Sequence, residues 1–318
     1  MGKYIVKRVL LLIPTILIVC VIVFAMMRMM PGTAVDAIVQ RLQKNGNATA
    51  TYESVEAELG FDKPAVQQFF IWLWNMLHGD LGDSFFQNDT VLHLIMQKLP
   101  VSLELGIITL ILTEVIAIPL GLLCAARQGS VIDVIIRVIA VIFMSMPVFW
   151  IAAILQFYPA KFFGFSYPTV YVSLLKDPLG NLSMFIMPAI IGAVTSAGMQ
   201  LRTVRTVTLD VMRQDYIRTA WAKGVPEHRV LFRHAFRNSL IPVITVIGGS
   251  VANLIGGSVI LENVFNLPGI GSTVVTALGQ RDYYLVQGCI LVFSIFVMLI
   301  NLIVDIAYKW IDPRVRLD

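Results

Sequence analysis

"DYIRTAWAKGVPEHRVLFRHAFRNSLIP", residues 215–242, is a basic segment between two almost wholly apolar stretches of the chain. Its first part is rich in small residues and ends at Gly224, and Pro226 follows two positions later. A glycine just past a helix end, followed by a proline at the start of the next helix, is a typical stop and restart signal. The pattern predicts two short helices with a bend at Gly224 and Val225, the second over residues 226–236.

This segment has two possible roles. Ala220 and Gly224 are four residues apart, so one side of the first helix would let a partner approach its backbone closely. Arg218, Lys223 and three further arginines surround these small residues with positive charge. The segment is then a docking element. The alternative is a solvated loop that serves only to keep positive charge on the cytoplasmic side of a membrane.

The composition indicates a membrane protein. The chain has 318 residues, of which 57% are hydrophobic and only 14% are charged, and its mean hydropathy is +0.79. A helix needs about 20 apolar residues to cross about 30 Å of hydrocarbon. Runs of that length predict an all-α integral membrane protein with six transmembrane helices. The runs are residues 9–30, 103–126, 134–158, 184–201, 239–261 and 288–308.

The first apolar run and the three cysteines each have two possible interpretations. The first run follows Lys3, Lys7 and Arg8 as a signal peptide would, but its apolar core is too long and no small-residue cleavage site follows. We therefore expect a retained span. The cysteines fall inside apolar runs, which favours unpaired core residues over a disulfide. They are Cys20, Cys124 and Cys289.

The distribution of charge predicts the orientation. The amino end, the turn around Arg127, the segment 215–242 and the tail are basic, so they belong on the cytoplasmic side. Acidic residues dominate residues 31–100, which belong outside. We therefore expect both termini in the cytoplasm and a large extracytoplasmic segment between helices 1 and 2. The predicted parts are residues 1–30 with the first helix, the outer segment 31–100, and a membrane core 101–318 with helices 2–6 and a cytoplasmic loop at about 208–238.

Within the outer segment, "VQQFFIWLWNMLHG", residues 66–79, is apolar and aromatic but too short to span a bilayer. One interpretation is a helix that lies in the lipid head-group region. The other is a helix that packs on the outer ends of the spans.

The segment 215–242 resembles the EAA loop of ATP-binding-cassette (ABC) importer permeases, in the variant of the dipeptide/oligopeptide/nickel group. Three further stretches resemble the same group, and the matches reach from the first span to the tail. The resemblance is specific to the oligopeptide permease B type. These stretches are "LGFDKPAVQQFFIWLWNMLHGDLGDSF" at 59–85, "LENVFNLPGIGSTVVTALGQRDYYLVQG" at 261–288 and "DPRVR" at 312–316.

The resemblance implies a type I ABC importer permease fold whose EAA loop is a coupling helix held by a cytoplasmic ATPase. Gly224 matches the motif glycine, and Thr219 and Ala220 stand at its two alanine positions. Arg218 stands where the wider superfamily has glutamate, so a glutamate-specific contact is not expected here. The coupling residues that we expect are Asp215, Tyr216, Arg218, Thr219, Ala220, Ala222, Lys223 and Gly224.

No phosphate-binding G-x-x-x-x-G-K-[ST] motif occurs, so the energy for transport must come from another chain or from an ion gradient. Glu114 lies near the centre of the second run, where an acidic side chain costs roughly 2.5 to 3.5 kcal/mol. It either contacts a cationic or amine-bearing substrate or is a protonated or hydrogen-bonded carboxyl between helices. Pro147 predicts a kink in the third span, beside methionines that could close a gate. The expected path residues are Glu114, Met144, Ser145, Met146, Gln156, Ser196, Gln200 and Asn253.

The function that these observations favour is the permease subunit of an ATP-driven importer of di- or oligopeptides, in a prokaryotic cytoplasmic membrane. The resemblance implies a second, similar permease chain, two cytoplasmic ATP-binding subunits and an extracytoplasmic solute-binding protein. The chain itself would contact the lipid bilayer, bind no nucleic acid, metal or cofactor and have no catalytic residue, since ATP and Mg²⁺ would bind the partner subunits. The alternatives are import of nickel, metal chelates or oligosaccharides by the same architecture, and a stand-alone secondary transporter. The sequence shows no metal-ligand cluster within the spans and no nucleophile beside a base, so nothing in it indicates an enzyme.

Overall fold

The computed structural model describes residues 2–29, 34–44, 51–164, 167–168 and 170–311. The stretch at 312–316 and the side chain of Asn253 lie outside this description. The described chain is helical, with an isolated bridge between Asp83 and Thr90 as its one extended pairing, which confirms the all-α prediction. The helices are α1 Gly2–Met29, α2 Ala34–Lys44, α3 Tyr52–Leu59, α4 Ala65–Leu77, α5 Val91–Ala126, α6 Val131–Ser145, α7 Val148–Phe163, α8 Pro178–Met212, α9 Asp215–Ala222, α10 Glu227–Arg229, a π-helix Val230–Phe236, α11 Arg237–Val264, α12 Ile270–Gln280 and α13 Tyr283–Ile311.

Four helices of the described chain are long and apolar enough to cross a membrane, and two bent helix pairs bring the number to six if each pair forms one span. Each of these six elements overlaps one of the six predicted runs, although the bounds differ, most of all for the fifth. The single helices are Arg8–Met29, Val91–Ala126, Pro178–Met212 and Tyr283–Ile303, and the pairs are Val131–Ser145 with Val148–Phe163 and Glu227–Leu240 with Pro242–Ser250.

The third predicted span is broken rather than kinked. Helices α6 and α7 meet at an angle of 94°. Met146, between them, has an extended backbone with φ −87° and ψ 132°, and Pro147 follows with φ −61° and ψ 133°. A proline excludes the helical conformation at the residue before it and provides no N–H for the helix, so α6 must end here. The sequence predicted the position of this bend but not its size.

The chain forms two compact units. The first consists of Met1–Val101 and Pro268–Leu299. In its core, Phe24 of α1 packs edge-on against Phe69 of α4, with ring centroids 5.3 Å apart, and Trp72 lies on the same ring. The fully buried Asp282 accepts a hydrogen bond from the Ser84 hydroxyl and caps the start of α13 through the Leu285 amide.

Helix α4 has apolar residues on two faces. Phe69, Trp72 and Met76 belong to the core cluster of the first unit, so the helix packs on this unit as one of the two interpretations predicted. Its opposite side exposes a stripe of large apolar side chains at a spacing of three to four residues, which stays consistent with contact to lipid. The stripe consists of Val66, Phe70, Trp74 and Leu77.

The second unit consists of Ser102–Leu267 and Ile300–Asp318, and α8 is its central helix. Helices α6, α7 and α11 all pack on α8. Glycines allow close contact, because a Cβ added at Gly192 would come within 2.9 Å of Thr109 on α5, and one at Gly198 within 2.5 Å of Met144 on α6. Helices in a membrane pack through such small residues, since the hydrophobic effect gives no preference for a helix over lipid.

The cysteine prediction is confirmed. Cys20, Cys124 and Cys289 are all buried and free, and they belong to apolar clusters.

Candidate coupling and translocation sites

The bend predicted at Gly224 is a defined helix end. Gly224 has φ +74°, in the left-handed region. Its N–H donates to the carbonyl of Trp221 at 2.9 Å, and the N–H of Val225 donates to the carbonyl of Ala220 at 3.2 Å. This pair of bonds is a Schellman motif, which terminates α9 and satisfies two carbonyl groups of its last turn. The geometry requires a residue that tolerates positive φ, and glycine does so without strain.

A small apolar cluster holds together residues 215–242, the candidate coupling segment. Ile217 of α9 packs against Val230 and Ala235 of the π-helix, and all three side chains are buried. Tyr216 is tied to the start of α11, since the Asn238 amide donates to its hydroxyl at 2.9 Å. The cluster and this bond fix α9 against the base of α11. A displacement of α9 would therefore also move α11, because the two helices are joined by side-chain contacts and not only by a flexible backbone.

The predicted small-residue face is not formed as expected. Ala220 is half-buried and packs on the cluster of Ile217 and Val230. Helix α9 has already ended at Ala222, so Gly224 does not continue the same helical face. Gly224 itself is exposed, with nothing within 4 Å of a Cβ added there. The other predicted coupling residues are exposed, namely Asp215, Tyr216, Arg218, Thr219, Ala222 and Lys223.

Two aromatic residues of this segment were missed by the sequence analysis. Trp221 is 43% exposed and Phe232 is 59% exposed, although both lie in a segment that is otherwise rich in charge. Large apolar side chains exposed on a polar segment are typical of interaction surfaces. The sequence shows two aromatic residues within a charged segment, but their exposure is decided by which side chains the Ile217 cluster buries.

The second predicted helix of residues 215–242 does not end where the sequence predicted. After the short α10, the chain adopts a π-helix over Val230–Phe236 and continues without a break into α11. The predicted end at residue 236 is therefore wrong. Since π-helical turns insert an extra residue into a helix, they are often found at functional positions. Here the π-helix lies between α9 and α11, within residues 215–242.

An ion cluster, which the sequence analysis also missed, joins α6 to α8. Asp133 is fully buried and accepts hydrogen bonds from Nε and one terminal nitrogen of Arg205, both at 2.9 Å. Nε of Arg137 donates to the same carboxylate at 3.0 Å, and so does the amide of Gly129. The spacing of Asp133 and Arg137 is a readable i, i+4 pair, but Arg205 is 72 residues away along the chain, and only the fold brings it here.

The predicted path residues are not gathered into one site by the described contacts. Gln200 is buried and donates to the Ser250 hydroxyl at 2.8 Å, so it links α8 to α11. Ser145 donates to the carbonyl of Val141 in its own helix. Met144 packs on Gly198 beside the ion cluster. Half-buried positions are taken by Met146, Gln156 and Ser196.

Glu114 is unusual among these residues. It lies within α5, and both of its carboxylate oxygens are buried without a hydrogen-bond partner in the described chain. The structural alternative for Glu114 was a protonated or hydrogen-bonded carboxyl between helices. The described residues provide no hydrogen bond to it, so the protonated form is the part of that alternative that stays open. A buried carboxyl with unused acceptor capacity can receive a donor from a bound molecule.

Within the residues that the structure describes, no group of three or more His, Cys, Asp or Glu side chains is arranged to hold a metal ion.

Comparison with known proteins identifies the class. A family model described as "Binding-protein-dependent transport system inner membrane component" matches residues 117–317, and the corresponding N-terminal family model matches residues 1–106. The chain belongs to this family. It is a membrane-embedded permease subunit of an ABC importer, which confirms the resemblance found in the sequence.

Three curated relatives match over the whole chain. A protein of Brucella abortus (strain 2308) named as a peptide transport system permease is 40% identical over 318 residues and covers 100% of both chains. The oligopeptide transport system permease protein AppB of Bacillus subtilis (strain 168) is 36% identical, covering 99% of this chain and 100% of AppB. The dipeptide transport system permease protein DppB of Escherichia coli (strain K12) is 33% identical, covering 99% of each chain.

A solved structure has a similar fold. It is an inward-facing conformation of the MetNI methionine ABC transporter, which aligns with a TM-score of 0.52 at 16% identity and covers 70% of this chain and 97% of that chain. At this identity the likeness shows the fold alone. It agrees with the predicted type I importer permease architecture.

Proposed function

We propose that this chain forms, together with a second and similar permease chain, the path by which di- or oligopeptides cross a prokaryotic cytoplasmic membrane. The basic amino end, the turn at Arg127 and the coupling segment 215–242 face the cytoplasm in this arrangement, and residues 31–100 face outward. An extracytoplasmic binding protein delivers the peptide to the outer segment. Two cytoplasmic subunits bind ATP and Mg²⁺, while this chain binds neither.

The observation that carries the proposal is the construction of the coupling segment. Helix α9 is terminated at Gly224, fixed by the Ile217 cluster to the base of α11, and presents exposed charged and aromatic side chains. A solvated loop that only obeys the charge rule would need neither a Schellman end nor a buried cluster. A docking element needs both, because it must transmit displacement from the ATPase to the spans.

In the proposed cycle the chain makes and breaks no covalent bond. ATP-driven closure of the two ATPases moves both coupling segments and favours the outward-facing packing of the spans over the inward-facing one. The break at Met146 and Pro147 gives α6 and α7 a place where their angle can change without breaking helical hydrogen bonds. The energy for the change comes from the differential binding of the ATPases to the two states.

Substitutions at Gly224 test the coupling proposal. An alanine and a tryptophan at this position share the backbone strain of positive φ, about 1 to 2 kcal/mol, but only tryptophan adds bulk. Since nothing lies within 4 Å of a Cβ at Gly224, the side chain starts into open space and the extra bulk of tryptophan is directed at a docked partner. We expect Gly224→Trp to reduce ATP-driven uptake and co-purification of the ATPase by at least about tenfold, and Gly224→Ala to have a much smaller effect.

A third variant completes the test. Gly224→Asn should behave like the wild type, because asparagine adopts the left-handed conformation more readily than other residues with a side chain. If Gly224→Trp retains both uptake and ATPase co-purification at the wild-type level, the docking assignment is wrong. Membrane insertion, measured by the yield of folded protein, serves as the control for all three variants.

The peptide assignment is supported by the names of the relatives and is tested by transport itself. The complex with its binding protein, reconstituted in liposomes, should take up a labelled dipeptide or a short oligopeptide only when ATP is supplied. Uptake of nickel, a metal chelate or an oligosaccharide in place of peptide would favour the alternative substrates. Uptake by the isolated chain on an ion gradient would favour a secondary transporter instead.

A further inference from the structure

A cavity lies between α6 and α8, beside the Asp133 ion cluster. Its volume is about 280 Å³. Three arginines line it together with apolar side chains, and nothing in the coupling or path assignments uses these arginines. The lining includes Arg137, Arg202, Arg205, Met144, Gly198 and Leu201.

The cavity carries an excess of positive charge. Asp133, the acid of the cluster, already accepts bonds from Arg137, Arg205 and the Gly129 amide, so it has little capacity left for a third arginine. Arg202 is exposed and forms no ion pair within the described chain. Three guanidinium groups less one carboxylate leave two positive charges around the cavity. Such an excess attracts an anion.

The ion cluster also orients donors toward the cavity. Asp133 holds Arg205 through two of its nitrogens and Arg137 through Nε, so both guanidinium planes are fixed while other N–H groups of each remain unused in the described bonds. The side chain of Arg137 is 46% exposed and that of Arg205 is 18% exposed. Guanidinium groups fixed in this way are well suited to phosphate, which they bind with two parallel hydrogen bonds.

An apolar surface continues from the cavity along α6. Val141 lines the cavity, and Val138 and Val134 follow it at intervals of three and four residues, all of them exposed. The cavity wall formed by Met144 and Leu201 is apolar as well. A small soluble anion would contact only the arginines. A molecule with a phosphate and an acyl chain would use both surfaces.

The depth of the site fits a lipid head group. Ser130 caps the start of α6, and Arg137 follows seven residues later, about 10 Å along the helix axis. With the proposed orientation, the start of α6 lies at the cytoplasmic face, where anionic lipids are found and where basic pockets between helices bind their head groups.

We propose that this cavity binds the phosphate of an anionic phospholipid from the cytoplasmic leaflet, with an acyl chain along Val138 and Val141, which follow Arg137 toward the middle of the bilayer. This inference rests on the proposed function for its orientation, but not on the transported substrate. The Asp133 cluster positions Arg137 and Arg205, and Arg202 provides the charge that lacks a partner. The lipid holds α6 to α8 at the side of the broken span.

Binding to the purified, delipidated importer complex tests the proposal. Phosphatidylglycerol should raise the thermal unfolding midpoint of the wild-type protein, and phosphatidylcholine at the same concentration should not. Arg202→Gln should weaken the apparent affinity for phosphatidylglycerol about tenfold, since one charge-assisted contact to phosphate is lost. Native mass spectrometry should show less phosphatidylglycerol retained by Arg202→Gln than by the wild-type protein.

Arg127→Gln is the matched control, because it removes the same charge from the same end of the spans at an exposed position outside the cavity. It should leave the affinity for phosphatidylglycerol unchanged. Equal losses in Arg127→Gln and Arg202→Gln would overturn the proposal, as would equal shifts with the two lipids. If inorganic phosphate alone reproduces the full shift, the cavity binds a free anion and the lipid assignment is wrong.

The readout separates this inference from the proposed function. A failure of lipid binding with ATP-driven peptide uptake intact rejects the lipid site alone. A normal phosphatidylglycerol shift without uptake rejects the transport proposal and leaves the lipid site in place.

Discussion

Asp133 and Glu114 are both carboxylates within the spans of the second unit, and their surroundings are opposite. Asp133 is fully buried and is surrounded by donors, with two arginines and a backbone amide bonded to it. Glu114 has two buried oxygens and no hydrogen-bond partner in the described chain. Removing one partner from a buried ion pair is strongly destabilising because the other charge stays buried without compensation, whereas a buried acid that already lacks a partner costs stability as it stands. This contrast separates an acid whose hydrogen-bonding capacity is used within the protein from one whose capacity is unused in the described chain.

The largest expected effect comes from removing the paired charge. Asp133→Asn leaves Arg205 and Arg137 facing each other without a carboxylate, so we expect it to lower the free energy of unfolding by about 3 kcal/mol. The thermal unfolding midpoint of the purified protein measures the effect. Asp210→Asn makes the same chemical change at an exposed position on α8 and should shift stability by less than about 0.5 kcal/mol. Similar stability of the two variants would show that the cluster contributes nothing.

An intermediate effect of opposite sign is expected at Glu114. Gln has the same shape but is less costly to bury, so Glu114→Gln should retain stability or raise it by about 1 kcal/mol, and Glu114→Leu should follow the same direction. If Glu114 receives the amino group of a passing peptide, both variants should lose ATP-driven peptide uptake despite their stability. Destabilisation by both variants, with uptake per folded complex unchanged, would make Glu114 a structural residue like Asp133.

The smallest effect concerns Asp282, a third buried carboxylate, at the start of α13. Burial raises its pKa above the ordinary value, and hydrogen bonds from Ser84 and from backbone amides oppose this shift. A raised pKa means that the folded state holds the proton more tightly than the unfolded state. The contribution of Asp282 to stability is therefore complete below about pH 4 and is lost as the pH rises through the raised pKa.

Asp282→Asn removes this titration while keeping a side chain that can cap the helix. The stability of the variant relative to the wild type should therefore increase as the pH rises above about 4, and then level off. Thermal unfolding midpoints of both proteins across this range give the comparison. A difference that is constant with pH, or that falls, would mean that the hydrogen bonds outweigh burial at this carboxylate.

Much of the fold could be predicted from the sequence because its signals are local. Each of the six apolar runs overlaps one of the four long apolar helices or one of the two bent helix pairs, Pro147 marked the break between α6 and α7, and Gly224 marked the end of α9. Each of these signals acts through the backbone or the hydration of neighbouring residues. The size of the break was not predictable, because 94° depends on how α7 packs on α8 and α11.

The candidate sites were predicted less completely. The coupling residues were found by resemblance, but the inward orientation of Ala220 and the exposure of Trp221 and Phe232 depend on the cluster that Ile217 forms with Val230 and Ala235. Polar residues inside the spans were all treated alike as path candidates. The contacts then divided them, because Gln200 and Ser145 use their side chains within the protein and Glu114 does not.

The sequence by itself determined that this protein crosses a membrane and where several of its helices stop, because hydropathy, proline and glycine act on their immediate neighbours. The candidate docking segment was marked by resemblance. Only the tertiary structure decided which charges are neutralised and which are available. Arg205 reaches Asp133 across 72 residues of chain. Such a contact depends on the packing of α6 against α8 and has no local signature, so a paired acid and an unpaired one look the same in the sequence.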